Sequence, residues 1–259
     1  MTRLDQILST KVEEVAASRL AVSAVELAHR ARDAQPPRGF LRALQAAEGV
    51  ALVAEVKRAS PSRGMIREGL DPAELAHAYA RAGASCLSVL TDRRFFLGAP
   101  EHLRLARDAG GLPTLRKDFV VDEYQIVESR SLGADAILLI VAALDGARLE
   151  EFSAAARAWG MDVLVEVHTA EEAERALAVG AELVGVNNRN LSDFETSLEV
   201  SECLIPRLAP HAFVISESAL ETVEDVARVR AAGARGVLIG TAFCAAENVE
   251  AKVREVMGW

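Results

Sequence analysis

The sequence has few cysteines, no excess of basic charge and no long apolar runs, and each shortage excludes a class of protein. Its three cysteines, Cys86, Cys203 and Cys244, lie far apart with neither CxxC nor Cys/His spacing. An odd, scattered set suits a reducing cytosol and offers no disulfide framework, and no metal site is expected. Acidic residues outnumber basic ones by 38 to 29, giving a net charge of −9 and a pI near 5.2. Bulk electrostatics therefore argues against a nucleic acid or an anionic membrane as partner, but not against a small anion held by local groups. No stretch approaches the roughly 18 uncharged apolar residues of a membrane span. The N-terminal MTRLDQILSTKVEEVAASRL is too acidic for a signal peptide, so a cytoplasmic protein is expected. No Pro/Gly/Ser-rich linker or charge block divides the 259 residues, 51% of them hydrophobic, and one domain is expected over 1–259.

What is present is a recurring mark. RAGAS at 81–85, SLGAD at 131–135, AVGAE at 178–182 and AAGAR at 231–235 each follow an alanine-rich helical stretch and precede an apolar run. Glycine just past a helix takes the left-handed conformation at little steric cost. Gly83, Gly133, Gly180 and Gly233 are 50, 47 and 53 residues apart, and weaker versions at Gly110-Gly111 and Gly160 fall between. The repeating unit is thus roughly 25 residues, one strand plus one helix. The apolar runs are VALVAEVK, SCLSVL, PTLRK, AILLIV, DVLVEV, ELVGVN, FVISE and GVLIG. Nearly continuous apolar strands are those of a parallel sheet covered on both faces.

Eight strands alternating with helices form either a closed barrel or an open doubly wound sheet. After the first strand the chain reads KRASPSRG, not the G-x-G-x-x-G of a dinucleotide fold. The even repeat and the count of eight favour a (β/α)8 barrel. Residues 1–48 fall outside the repeat and are expected to be an N-terminal helical extension, covering one end of the barrel or reaching over its mouth.

Barrel enzymes carry their chemistry at the C-terminal ends of the strands, and here those ends are polar. The first strand finishes with Glu55 and Lys57, two apart and so on one side of the pleat. Others end at Lys117, Glu166, Asn187, Glu217-Ser218 and Gly240-Thr241. A lone Lys or Glu at a strand end is usually a solvated rim group or half of an ion pair. Several at one end of one barrel are harder to dismiss, because burying them is costly unless they pair or await a ligand. Two lysines among two or three glutamates make a plausible acid–base apparatus, of unspecified reaction. Ser218 and Gly240-Thr241 stand where many barrels seat a phosphate on loop backbone N–H groups, although serine and glycine are also ordinary turn formers.

The blocks AEVKRASPSRG (54–64), SVLTDRRFFLGAPEHL (88–103), LPTLRKDFVVDEYQI (112–126), LVEVHTAEE (164–172), VGVNNRNL (184–191), SES (216–218) and LIGTAF (238–243) resemble, in order, the indole-3-glycerol phosphate synthase family. The N-terminal ILSTKVEEVAASR is similar to that family's extension. The resemblance implies conversion of 1-(2-carboxyphenylamino)-1-deoxyribulose 5-phosphate to indole-3-glycerol phosphate, with loss of carbon dioxide and water and no cofactor. It implies Lys117 as general acid, Lys57 as holder of the substrate carboxylate and helper in dehydration, and Glu166 as general base. Glu55 and Asn187 would orient the lysines and the developing hydroxyl. Glu217 and Ser218 would line the pocket, and Phe96 would pack near the aromatic ring. Ser60, the Ser218-Ala219 backbone and Gly240-Thr241 would receive the phosphate, with Arg189 in support. The implied partner is one small phosphorylated molecule, with the chain a monomer of at most weak self-association.

The chain departs from the family in two places. Ala219 stands where SESG is common, which is costly if that position needs a positive φ, and Gly98-Ala99 replaces a common Gly-Ser. Another phosphosugar barrel isomerase or lyase would lack this Glu-Lys, Lys, Glu, Asn set. A non-catalytic binding paralogue would be favoured by loss of Lys57, Lys117 or Glu166, and all three are present. His168, two after Glu166, reads as a pocket-rim or loop residue. The other histidines show no ligand spacing, Arg93-Arg94 reads as a solvated loop pair, and Trp159 and Trp259 as packing or surface aromatics.

Overall fold

Eight short parallel strands hydrogen-bond in chain order, and the last closes on the first. They are β1 (Ala51–Val56), β2 (Cys86–Leu90), β3 (Thr114–Lys117), β4 (Ala136–Ile140), β5 (Asp162–Val167), β6 (Leu183–Asn187), β7 (Phe213–Glu217) and β8 (Gly236–Ile239). Ala51 pairs with Gly236 where β1 meets β8, and Val53 with Cys86 where β1 meets β2. The computed structural model describes residues 2–61, 63–190 and 195–259, so Ser62 and Leu191, members of two of the motif blocks, lie outside the described residues. A two-residue antiparallel ribbon, Ala59–Ser60 with Gly64–Met65, stands just past β1.

The apolar runs are continuous because each strand is buried twice. Leu52, Ala54, Val56, Leu87, Val89, Val165 and Val184 face outward into the layer shared with the helices. Ala51, Val53, Leu115, Leu138, Leu164, Leu183, Ile215 and Leu238 alternate with them and fill the barrel. The outer helices follow the expected marks. They include α4 (Pro72–Arg81), α6 (Pro100–Gly110), α7 (Glu123–Ser131), α8 (Gly146–Ala158), α9 (Ala170–Ala178), α10 (Glu199–Leu208), α11 (Val223–Ala231) and α13 (Val249–Met257), with the single turns α5 (Arg93–Phe96) and α12 (Thr241–Cys244) at the mouth. Side chains of Asp71, Asp122, Asp145, Thr169, Thr222 and Asn248 accept first-turn N–H groups. Gly83, Gly133, Gly180 and Gly233 carry φ of +98°, +89°, +65° and +107°, the left-handed stops that the repeat requires.

The N-terminal extension serves both ends of the barrel. Helix α1 (Arg3–Ala21) reaches the C-terminal mouth, while α2 (Ala24–Asp33) packs on α7, with Leu27 and Val15 around Tyr124. The third, α3 (Phe40–Gln45), plugs the opposite end, where Phe40 and Leu44 join the barrel interior. It is pinned there by the Asp162 carboxylate, which accepts the Leu41 N–H at 2.9 Å. No helix among the described residues is long and apolar enough to cross a membrane.

Candidate active site

Strand parity brings the polar ends together. Inward-facing residues occur at every second position, so the series that places Ala51 and Val53 inside also turns Glu55 in. The same count delivers Lys117 after Leu115, Glu166 after Leu164, Asn187 after Leu183, and Glu217 after Ile215. All of them line one cleft of about 1270 Å³, measured out to its open mouth, together with Lys57, Ser60, Phe96, Arg189, Ser218, Ala219, Gly240 and Thr241. Every candidate residue from the sequence therefore opens into the same space.

The charges pair across it. Lys57 Nζ lies 2.6 Å from Glu55 Oε1, while Lys117 Nζ is shared between Glu217 Oε2 at 2.6 Å and Glu166 Oε2 at 3.2 Å. Glu55, Glu166 and Glu217 are each no more than 3% exposed, so none could remain ionised without a partner. Burial alone would lower the Lys117 pKa, but Glu217, Glu166 and Glu55 outweigh it and hold the ammonium well above the usual lysine value. Burial alone would raise Glu166, yet Lys117, His168 and Asn187 hold it far below the usual carboxylate range. Burial pushes Glu217 up to about 7, because Lys117 does not offset it with Glu166 and Glu55 close by. Near neutral pH the cleft thus holds a charged ammonium, an ionised carboxylate and a second carboxyl able to carry a proton.

Two glycines make room for this cluster. A Cβ on Gly185 would stand 2.0 Å from Glu217 Oε1, and one on Gly240 would stand 2.3 Å from Glu55 Oε1. Gly240 was expected to admit a phosphate, and its missing side chain also admits Glu55. Gly185 was not singled out from sequence, where a glycine inside a strand signals only a close approach by an unknown neighbour.

The loop after β7 is backbone-strained. Ser218 and Ala219 take φ of +66° and +59°, so Ala219 does occupy a left-handed position where glycine would be unstrained. The Asn188 amide holds the turn, donating to Ser216 Oγ, Glu217 O and Ser218 O at 2.9–3.1 Å. Asn187 Oδ1 accepts the Arg189 N–H at 3.0 Å. Arg63, absent from the sequence-based set, lines the same wall and pairs with Glu221 at 3.0 Å.

Opposite the charges the wall is apolar. Phe96 on α5 tilts against Phe119 with ring centroids 6.0 Å apart, and Leu90, Leu138, Ile140 and Leu238 complete that side. Leu4 and Ile7 from α1 also line the cleft. None of these apolar residues except Phe96 was picked out from sequence, where an apolar residue at a strand end looks like core. The anchor of α1 is a buried cation: Lys11 Nζ lies 2.9 Å from both Asp92 and Asp118 and 2.7 Å from Glu14. His168, read as a rim residue, stands behind the cleft with Nε2 3.4 Å from Glu166 Oε1. Arg93 and Arg94 are solvent-exposed, as anticipated, and Trp259 is half exposed beside Gly83.

Comparison with known proteins agrees with this geometry. The family model described as indole-3-glycerol phosphate synthase matches residues 4–256. A protein of that name from Laribacter hongkongensis (strain HLHK9) is 52% identical over 244 residues, covering 93% of each chain. Another from Roseiflexus sp. (strain RS-1) is 47% identical over 265 residues, covering 99% of this chain and 98% of the relative. Among solved structures, a 3-hexulose-6-phosphate synthase superposes with a TM-score of 0.62 at 18% identity, over 81% of this chain and 99% of the other. A thiamine phosphate pyrophosphorylase from Pyrococcus furiosus gives 0.58 at 15% identity, over 81% and 94%. At those identities the structures share the fold alone, whereas the sequence matches span almost the whole chain. The chain belongs to the indole-3-glycerol phosphate synthase family.

Proposed function

We propose that this chain closes the indole ring of 1-(2-carboxyphenylamino)-1-deoxyribulose 5-phosphate, releasing carbon dioxide and water to give indole-3-glycerol phosphate, the step named by its family. One observation carries the assignment of roles. Among the described residues, Lys117 is the one ammonium lining the cleft that lies between two buried carboxylates. The substrate's aromatic ring lies against Phe96, with its carboxylate toward Lys57. As the aryl carbon attacks the ketone carbon, Lys117 gives its proton to the ketone oxygen, so negative charge never accumulates there. Loss of carbon dioxide restores the ring electrons.

The new hydroxyl then leaves as water, taking a proton from an acid in the cleft, while a base removes the ring proton. Glu166, held ionised, is the base. Lys57 assists the departing hydroxyl, and Glu55 fixes Lys57. Asn187 orients Glu166, and Glu217 carries protons near neutral pH. The phosphate rests on Ser60, the N–H groups of Ser218-Ala219 and Gly240-Thr241, with Arg189 nearby. No cofactor takes part. The barrel and its N-terminal helices work as one cytoplasmic domain, a monomer with at most weak self-association.

Incubating the purified chain with the carboxyphenylamino-deoxyribulose phosphate and following indole fluorescence tests the reaction. Lys117→Ala is expected to reduce kcat by roughly 10²–10⁴-fold, the usual worth of a general acid, with the fold intact by circular dichroism. A variant that keeps most of its rate would remove Lys117 from this role.

A further inference from the structure

His168 lies outside the cleft lining, yet it is wedged between two carboxylates. Its backbone N–H donates to Glu172 Oε2 at 2.7 Å, and its Nδ1 lies 3.1 Å from the same oxygen. Glu172 sits in the first turn of α9, beyond the Thr169 cap, so its side chain folds back onto residue 168 at the end of β5. The contact settles the tautomer: an imidazole facing a carboxylate at Nδ1 must carry the proton there. Nε2, on the opposite side of the ring, is buried without a hydrogen-bond partner and stands at ion-pair distance, 3.4 Å, from Glu166 Oε1. A neutral ring protonated at Nδ1 would aim its Nε2 lone pair at an anionic oxygen. Only the imidazolium, with a proton on each nitrogen, sets positive charge against both carboxylates.

Glu166 is thereby held on both oxygens. Oε2 meets Lys117, the group that surrenders a proton during ring closure, and Oε1 meets His168. We propose that His168 is a positioning residue for Glu166: clamped by Glu172, its imidazolium fixes Oε1 and keeps the carboxylate ionised while Lys117 is without its proton. The inference rests on Glu166 being the base. In this arrangement Lys117 transfers one proton to the ketone oxygen and becomes an amine. The attraction that it exerted on Glu166 disappears at that moment, while the cation behind Glu166 remains. The charged groups around Glu166 are Lys117 from β3, Glu217 from β7, His168 from the end of β5 and, across the cleft, the Glu55–Lys57 pair of β1. Glu172 of α9 holds the backbone N–H and the imidazole of His168. Burial alone would lower the His168 pKa, but Glu166 and Glu172 outweigh it and push it up to about 10, in keeping with the geometry.

The test measures kcat and KM from pH 5 to 9 for wild type, His168→Gln, Glu172→Gln, Glu166→Gln and the Glu166→Gln/His168→Gln double variant. His168→Gln is expected to lose kcat by about tenfold or more, with KM changed less than about threefold. Glu172→Gln keeps the shape of the clamp but not its charge, and should lower kcat by less. The double variant should be no slower than Glu166→Gln. A wild-type kcat in His168→Gln beside an inactive Glu166→Gln would overturn the role of His168 and leave Glu166 as base. An active Glu166→Gln would remove the base itself, and this proposal with it. Nitrogen-15 spectra of histidine-labelled protein, assigned by the signals missing in His168→Gln, give a reading independent of activity. Both ring nitrogens should be protonated at pH 7.5, and a neutral ring there would also overturn the inference.

Discussion

At positions 185 and 240 a single methyl group decides whether the charge cluster can assemble. Gly185→Ala would drive its Cβ into Glu217 Oε1, the tip of a side chain that can swing away. Its stability cost should therefore stay near 1 kcal/mol, at the low end for overpacking, while Glu217 loses its hold on Lys117 and kcat falls. Gly240→Ala meets not only the Glu55 carboxylate but also its Cβ, at 2.9 Å, so the backbone must move and the loss of stability should be larger. Thermal melts alongside kcat distinguish the two, and unchanged activity in both would mean that the carboxylate positions do not matter. Ala219 gives the opposite sign. Held at φ +59°, it stores about 1 kcal/mol that glycine would release. Ala219→Gly should raise the melting temperature by about 2 °C and tighten the phosphate end, seen as a lower KM.

Among the elements, α1 has sparse apolar support for its length, with only Ile7 and Val15 buried beside Lys11, and a concentrated electrostatic one. Lys11 is almost fully buried between Asp92, at the head of α5, and Asp118, the neighbour of Lys117. Burial alone would lower its pKa, but Asp118 and Asp92 outweigh it and hold the ammonium well above the usual lysine value. Asp118 keeps Arg116 and Thr91 if Lys11 is lost, but Asp92 is completely buried with no other cation beside it among the described residues. Removing one partner of such a pair costs about 3–5 kcal/mol, and here the penalty falls on the docking of α1. Lys11→Met is expected to raise amide exchange along α1. It should also raise KM more than it lowers kcat, because Leu4 and Ile7 leave the cleft wall. Protected α1 amides in that variant would show that apolar contacts alone hold the helix.

Over the whole molecule, the buried charges set how stability follows pH, with opposite signs for different groups. His168 rises from 6.5 to about 10 on folding, so its contribution is complete below pH 6.5 and is lost as pH climbs through 10. Glu166 is depressed, so its contribution holds above the ordinary glutamate value and is lost as pH falls through its lowered one. Glu217, raised to about 7, opposes folding once it must ionise, so its effect worsens between pH 4.5 and 7. The gap in melting temperature between wild type and His168→Gln should therefore be widest near pH 6 and close above pH 10. A gap that grew with rising pH would contradict the charged imidazole.

The sequence by itself determined the alternation of strands and helices, the glycine stops, the barrel, and the set of polar residues that face inward at its C-terminal end. These follow from local rules: helix stops at Gly83 or Gly133 depend on neighbours in the chain, and parity along β1 turns Glu55 inward whatever lies opposite. Only the tertiary structure decided which charges meet. That Lys117 on β3 is shared by Glu166 on β5 and Glu217 on β7, that Gly185 makes space for Glu217, and that α1 and α3 serve opposite ends depend on closure of the ring. His168 shows the division most plainly. Its place two residues after Glu166 was readable, but its role depends on a glutamate folding back from the next helix, and no spacing along the strand encodes that contact.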